Sequence, residues 1–161
     1  MQPPNLIIDS NRGRLDRALI HRFLSDSYWA AGIPRELVDR AIDHSLCFGA
    51  YIDAAQIGFA RLVTDYATFG YLADVFVLPE WRGQGIARRL VAEVMAHPDV
   101  AGLRRIMLAT RDAHSLYASF GFAPVADPKP LMQIHRPGIY QAGMARQVSA
   151  IDVGAENSGP T

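Results

Sequence analysis

The stretch from residue 75 to residue 95 constrains the fold most strongly, because it combines a strand, a glycine turn and a helix. Val75–Leu78 is a short apolar run of strand-forming residues, and Pro79 ends it because proline cannot donate to a sheet ladder. Beyond the turn, apolar residues recur at positions 86, 90, 91, 94 and 95, which is the spacing of one helical face. The chain therefore contains a strand that passes through a tight turn directly into an amphipathic helix.

Gly83 and Gly85 lie where this helix begins, and they suit an anion site. Glycine permits positive φ and leaves the backbone accessible, while the first amides of a helix have no internal acceptor. A P-loop would need a Gly-Lys-Ser/Thr ending, but the only lysine in the chain is Lys129. A dinucleotide-binding Gly-x-Gly-x-x-Gly turn is also excluded, because Arg88 stands at the third glycine position.

The remaining pattern, Arg82-x-x-Gly85-x-Ala87, resembles the acyl-CoA diphosphate loop of the GNAT superfamily of N-acetyltransferases. A second motif of that superfamily is matched further along the chain, by Ala113, Leu116, Tyr117, Gly121 and Phe122. Thr110 stands where the superfamily usually has asparagine. The two motifs occur in the expected order, and the resemblance covers roughly residues 46–125.

The resemblance implies acetyl-CoA as the cofactor and indicates which residues hold it. Residues expected to hold the diphosphate, mostly through main-chain amides, are Arg82, Gly83, Gln84, Gly85, Ile86, Ala87 and Arg88. Backbone N–H groups of Val75, Phe76 and Val77 are expected to meet the thioester and its pantetheine arm. Thr110, His114 and Tyr117 complete the predicted cofactor contacts. The strands before and after the turn helix are expected to run parallel and to splay apart around the acyl chain.

Tyr117 is the predicted general acid, because a phenol with a pKa near ~10 is a suitable proton donor to a thiolate of similar basicity. The superfamily commonly uses a tyrosine at this motif position for that role. The alternative is that Tyr117 only packs beside Leu116 and hydrogen-bonds the sulfur.

Asp74 is the second predicted catalytic residue, as base or as anchor for the acceptor amine. It is a charged residue inside an apolar strand, and burying it unpaired would be costly. The alternative role is a structural partner of an arginine. His114 lies three residues before Tyr117 and could relay a proton, and ordered water could also accept the proton of the amine.

The acceptor amine is expected to bind outside the cofactor motifs. Tyr28 and Trp29, between the first two predicted helices, are the leading substrate-binding candidates, although neighbouring aromatic residues are also common in cores. Leu131–Tyr140 is the second candidate segment.

The pattern along the chain predicts an α/β (α+β) fold with a mixed, mostly antiparallel central sheet and helices on both faces. The expected order is a strand, two helices, three antiparallel strands, the turn helix, a strand, a short helix and one or two closing strands. Residues 1–147 should form a single domain, and residues 148–161, which are small and polar, a flexible tail.

Composition excludes several other classes of protein. Sixteen Lys and Arg balance sixteen Asp and Glu, which argues against nucleic-acid and membrane-surface partners. The single cysteine, Cys47, excludes an internal disulfide and is expected to be an inert core residue, with a reactive thiol as the alternative. The five histidines show no metal-ligand spacing, so no catalytic metal is expected. With no apolar run approaching ~20 residues, a cytoplasmic protein is the default.

These features together predict an acetyl-CoA-dependent N-acetyltransferase. It would transfer the acetyl group directly from the thioester to a primary amine, on a small molecule or a peptide, without an acetylated Cys47. Transfer of a longer acyl group and a non-catalytic acyl-CoA-binding regulatory module are the alternatives. A homodimer is compatible with the sequence.

Overall fold

The computed structural model describes residues 3–141 of the 161-residue chain. The strands are β1 (Leu6–Asp9), β2 (Leu46–Ile52), β3 (Ala55–Thr64), β4 (Phe69–Val77) and β5 (Arg105–Leu108). The helices are α1 (Arg17–Asp26), α2 (Arg35–Asp43), α3 (Ile86–Ala96), α4 (Pro98–Ala101) and α5 (His114–Ala118). Short 3₁₀ turns cover Arg12–Arg14 and Pro79–Trp81.

The five strands form one sheet in the order β1-β2-β3-β4-β5. Each of the first three neighbouring pairs is antiparallel, and β4 and β5 are parallel. The two residues Asp53 and Ala54 connect β2 to β3, and Asp53 takes the positive φ that such a short hairpin turn favours. The predicted mixed, mostly antiparallel sheet is thus confirmed.

Helices cover both faces of the sheet, as predicted. On one face, α3 buries Ile86, Leu90, Val91 and Val94 against alternate residues of β2 and β3. On the other face, α1 and α2 bury apolar side chains against Phe59 and Phe76 of the sheet. This division follows from the period-2 alternation of strands, which sends neighbouring residues to opposite faces.

Cys47 belongs to the second of these cores and is 3% exposed. Burial raises the pKa of its thiol to about 11, so the thiol stays protonated near neutral pH. This agrees with the expected inert core residue.

Helix α1 begins at Arg17, because the Asp16 carboxylate accepts a hydrogen bond from the Leu19 amide and caps the helix. The end of the sheet differs from the sequence prediction. The predicted closing strands do not form between α5 and residue 141, a stretch interrupted by four prolines that cannot donate to a ladder. The predicted tail, residues 148–161, lies outside the described residues and stays a prediction. Within residues 3–141, every helix is too short or too polar to cross a bilayer.

The turn from β3 to β4 is fixed by Asp65. Its carboxylate accepts hydrogen bonds from the amides of Ala67, Thr68 and Phe69 and from the Thr68 hydroxyl, at 2.6–3.1 Å. These bonds, first of all that from the Thr68 hydroxyl, hold the pKa of Asp65 well below its usual value.

We expect Asp65→Ala to lower the urea midpoint of unfolding at neutral pH. Because the folded-state pKa is depressed, the stabilisation is present above the unfolded-state pKa of about 3.9 and is lost as the pH falls through the folded-state value. Urea titrations of wild type and variant from pH 7 down to pH 2 should therefore converge. A gap that is independent of pH would contradict this role of Asp65.

Candidate functional site

The last two strands of the sheet, β4 and β5, separate partway along β4. The parallel ladder ends at the pair Leu72 and Leu108, whereas β4 continues to Val77. A cleft of about 1430 Å3 opens at this point, between the second half of β4, the segment after α1 and the segment after β5. The splayed strands expected from the family resemblance are therefore present.

A β-bulge shapes the β4 wall of the cleft. Phe59 pairs with Phe76 and Arg61 pairs with Ala73, so two residues of β4 face one residue of β3. Those two residues are Asp74 and Val75, and Asp74 takes a φ of 53°. A bulge interrupts the regular ladder and re-aims the backbone, and both bulge residues line the cleft.

Asp74 is paired on both carboxylate oxygens. Arg61 donates from Nε to Asp74 Oδ2 at 2.7 Å, and the indole of Trp29 donates to Oδ1 at 2.9 Å. Arg61 also donates to the hydroxyl of the buried Ser45 at 3.1 Å. The Asp74 and Arg61 side chains are only 10% and 17% exposed, so this is a largely buried ion pair. The arginine partnership considered from the sequence is present, and Asp74 also lines the cleft.

The glycine turn leaves a run of amides without acceptors. Gly83 and Gly85 have φ values of 75° and 74°, and α3 begins at Ile86 without a side-chain cap. The amide of Arg89 is the first to bond within the turn and helix, to the Gly85 carbonyl at 3.1 Å. Over the part of the chain that the structure describes, the six amides from Gly83 to Arg88 donate to no acceptor. They lie at the positive end of an eleven-residue helix, as an anion site requires.

The two arginines of the turn have protein partners. Arg82 donates from Nε to the Val77 carbonyl at 3.1 Å, which ties the turn to the end of β4. Arg88 donates to the Ser119 hydroxyl at 2.9 Å, which ties α3 to the end of α5. Both side chains therefore help to hold the turn in place.

Tyr117 lies on α5 and lines the cleft opposite β4. Its half-buried ring contacts Phe122 edge to face, with ring centroids 6.0 Å apart. Burial, and then the neighbouring Tyr28 and Asp112, raise the pKa of the Tyr117 hydroxyl above its ordinary value. The hydroxyl therefore keeps its proton at neutral pH.

Tyr28 and Trp29 form the exposed wall of the cleft and are not core residues, with exposures of 59% and 43%. Their rings meet edge to face at 5.0 Å. The Arg111 guanidinium lies 3.8 Å from the centre of the Tyr28 ring, so this wall contacts the segment that follows β5. Trp29 is also held by Asp74 and packs near Phe23, with ring centroids 6.4 Å apart.

Most of the predicted site residues come together around this cleft. Those that line it are Tyr28, Trp29, Asp74, Val75, Phe76, Val77, Arg82, Ala87, Thr110 and Tyr117. The predicted site residues that do not line the cleft are Gly83, Gln84, Gly85, Ile86, Arg88 and His114. The side chain of Ile86 is buried in the core, so only its backbone is available to a ligand, and His114 is exposed to solvent. Thr110 accepts a hydrogen bond from the Ala113 amide at 3.0 Å.

Arg61, which pairs with Asp74, and Arg111, which lines the cleft, are among the residues of the site that were not found from the sequence. Arg61 carried a usable signal, because it is the only charged residue of its apolar strand, as Asp74 is of β4. Arg111 carried none, because only the fold brings it against Tyr28. Within residues 3–141, no three His, Cys, Asp or Glu side chains gather as a metal ion would require.

Known proteins resemble this chain at the level of sequence. The family model for GNAT acetyltransferases matches residues 15–122. A protein of Gibberella zeae assigned as an acetyltransferase is 32% identical over 111 residues, covering 56% of this chain and 62% of that protein. The aminoglycoside N(6')-acetyltransferase type 1 of Stenotrophomonas maltophilia is 34% identical over 82 residues, covering 44% of this chain and 54% of that protein. This chain thus spans less than two thirds of the length of both curated relatives.

Solved structures share the fold. A crystal structure from Xanthomonas campestris pv. campestris, assigned to the GNAT family, is 54% identical with a TM-score of 0.85, covering 88% of this chain and all of that chain. An assigned acetyltransferase from Clostridium acetobutylicum, solved with acetyl-CoA, has a TM-score of 0.59 over 81% of this chain and 96% of that chain. At 16% identity the second likeness shows the fold alone. The family match includes α1 to α5 and the whole glycine turn, and this chain belongs to the GNAT acetyltransferase family.

Proposed function

We propose that this chain is an acetyl-CoA-dependent N-acetyltransferase that transfers the acetyl group directly to a primary amine. One observation carries the proposal. The bulged part of β4 and Tyr117 line the same cleft, and the chain that follows β4 contains six amides without acceptors. Family membership supports it. The named Stenotrophomonas relative, which acts on aminoglycosides, supports an amine as the acceptor.

The residues of the turn fit the cofactor. Six amides without acceptors at a helix start suit a diphosphate, and the Cβ that a side chain at Gly83 would add meets no atom within 4 Å, so the backbone is open to a ligand there. The main chain of Val75, Phe76 and Val77 would hold the pantetheine arm and thioester carbonyl. Acetyl-CoA, when bound, supplies the acetyl group in activated thioester form.

Tyr117 acts as the general acid in this proposal. Its raised pKa means that the hydroxyl carries its proton at neutral pH, which is the state a proton donor needs. The hydroxyl would hold this proton toward the cleft and release it to the departing thiolate. Deprotonation of the amine is assigned to water, because His114 is not among the residues that line the cleft.

Asp74 serves as the acceptor-side anchor rather than as the base. Both of its oxygens already accept hydrogen bonds, from Arg61 Nε at 2.7 Å and from the Trp29 indole at 2.9 Å. A base must present an oxygen to the amine, and both oxygens of Asp74 are already engaged. Asp74 therefore holds Trp29 and the bulge in place at the wall of the cleft.

We expect Asp74→Ala to lower the free energy of unfolding by ~3 kcal/mol, because it leaves the largely buried Arg61 without a counter-charge. Asp74→Asn keeps an oxygen acceptor and should lose less. Urea unfolding measures both variants. The pH profile of kcat for Asp74→Asn should keep the shape of the wild-type profile. If that variant instead keeps its stability and loses the acidic limb of the profile, Asp74 is the base.

Incubation with acetyl-CoA and a panel of primary amines, with detection of the released thiol, tests the proposal. Release above the amine-free rate for at least one amine is expected, and parallel assays with longer acyl-CoA esters measure the acyl-chain preference. Titration calorimetry with coenzyme A distinguishes an enzyme from a non-catalytic acyl-CoA-binding module. Tight binding without amine-dependent thiol release across the panel would favour the non-catalytic binding module.

A further inference from the structure

Arg111 is a positive side chain of the cleft whose hydrogen-bond donors are unused. Its guanidinium lies over the Tyr28 ring, with the central carbon 3.8 Å from the ring centre. A contact over the face of a ring takes up none of the N–H groups of an arginine. Within residues 3–141, none of these groups donates to a protein acceptor, and no carboxylate pairs with the guanidinium. The Tyr28 ring thus holds Arg111 while its N–H groups stay available to a ligand.

Asp112 places an unpaired negative charge beside Arg111. Its exposed carboxylate also lines the cleft, and in the part of the chain that the structure describes it has neither a hydrogen-bond nor an ion-pair partner. After burial, Tyr28 and then Asp112 contribute to raising the pKa of the Tyr117 hydroxyl, so both lie near the group assigned as the general acid. An available cation and an available anion therefore lie next to each other close to the reaction centre.

The charges of the cleft as a whole are balanced. Three arginines and three aspartates line it, namely Arg22, Arg82, Arg111, Asp26, Asp74 and Asp112. Asp74 and Arg82 already have protein partners. A polycationic acceptor would be favoured by a surplus of negative charge, which this cleft does not have. A cleft with no surplus of either sign suits an acceptor that carries one charge of each.

We infer that the acceptor is a free α-amino acid with an apolar side chain, whose carboxylate is bound by Arg111 and whose amino group lies beside Asp112. The inference names the substrate class of the proposed N-acetyltransferase and rests on that function. A planar guanidinium matches a carboxylate through paired N–H···O bonds, which a lysine at this position would not form. The exposed rings of Tyr28 and Trp29 provide an apolar wall for the side chain of the acceptor.

The two charged residues have different roles in this assignment. Asp112 attracts the ammonium form of the acceptor, and the amino group then loses a proton to water. Transfer forms the C–N bond as the C–S bond breaks, and Tyr117 gives its proton to the thiolate. Arg111 binds the carboxylate and takes no part in proton transfer, so it determines specificity.

Three matched acceptors test the inference. L-phenylalanine, L-phenylalaninamide and phenethylamine share a side chain and a primary amine, and they differ at the carboxylate. The amine pKa of the acid lies between those of the amide and of phenethylamine, so a preference over both does not come from the neutral fraction of the amine. We expect kcat/KM to be at least about 10-fold higher for L-phenylalanine than for either. Equal or faster transfer to the amide or to phenethylamine would leave the N-acetyltransferase intact and overturn the amino-acid assignment.

Arg111→Gln removes the positive charge and the planar donors. It should lower kcat/KM for L-phenylalanine by about 10-fold or more and leave that for phenethylamine nearly unchanged. Because the side chain is exposed, the thermal unfolding curve should not change. Arg22→Gln is the matched control, since it removes the same charge from the α1 wall of the cleft and should keep the preference for the acid. Equal losses in Arg111→Gln and Arg22→Gln, or equal losses for the acid and for phenethylamine, would contradict the role of Arg111.

Calorimetry separates the amino-acid site from the transfer reaction. Protein saturated with coenzyme A has no acetyl group to transfer, so the binding of L-phenylalanine is measured apart from turnover. Wild type should bind it, and Arg111→Gln should bind it about 10-fold or more weakly. If this binding is present and no amine is acetylated, the amino-acid site is supported and the proposed reaction fails. If L-phenylalanine does not bind, or binds Arg111→Gln equally well, the inference is overturned.

Discussion

Replacing Tyr117 by phenylalanine is expected to lower kcat by about 100-fold or more, with little change in the dissociation constant of coenzyme A. The substitution removes only the hydroxyl, so the ring keeps its contact with Phe122 and its place in the cleft. Loss of a general acid slows the chemical step and leaves the binding of coenzyme A in the ground state unchanged. Steady-state kinetics with the best amine of the panel, together with calorimetry, measures both quantities.

The pH dependence makes this prediction sharper. The folded-state pKa of Tyr117 is raised above 10, so the donor is protonated across the neutral range and loses its proton only as the pH rises through that value. The wild-type kcat should therefore have an alkaline limb above pH 10 that Tyr117→Phe lacks. Tyr71→Phe is the matched control, because Tyr71 lines the same cleft but has no role as a proton donor in the proposed reaction. Unchanged turnover in Tyr117→Phe would remove the assigned acid.

Replacing Gly85 by valine is expected to raise the dissociation constant of coenzyme A by at least about 100-fold, a loss of ~2.7 kcal/mol. Gly85 has a φ of 74°, a region that a β-branched residue strongly resists, so the turn must change its path. The amides around it would then no longer converge, and each lost bond to a charged group costs about 1.5–3 kcal/mol. Titration calorimetry on the folded variant measures the effect.

The stability cost of this substitution has its own control. Gly121 also has a positive φ, of 91°, and a Cβ there would meet no atom within 4 Å. Gly121→Val thus introduces a similar backbone strain of ~1–3 kcal/mol outside the glycine turn. It should lose stability and keep its affinity for coenzyme A. Equal loss of affinity in both variants would mean that strain, and not the amides at Gly85, controls binding.

Local patterns in the sequence were enough to predict the elements around the site. The apolar run 75–78, the two glycines and the 3.6-residue period from position 86 each depend on near neighbours, and the structure has the strand, turn and helix there. The hairpin of β2 and β3 is also local, because only two residues connect its two apolar strands. The parallel pairing and splaying of β4 and β5 came from the family resemblance, because no local period encodes it.

Features that depend on distant residues could not be predicted in the same way. The bulge at Asp74 exists because β3 and β4 differ by one residue in register, which is a property of two strands together. The pairing of Asp74 with Arg61 and Trp29 joins residues 13 and 45 positions apart. The one or two closing strands expected after the short helix are absent from residues 3–141, where β5 is the last strand of the sheet.

The most direct test of the whole account is a crystal structure of the protein with coenzyme A. In that complex the diphosphate should lie within hydrogen-bonding distance, about 3 Å, of the amides between Gly83 and Arg88, and the sulfur close to the Tyr117 hydroxyl in the cleft between β4 and β5. A diphosphate bound elsewhere on the same folded molecule would contradict it.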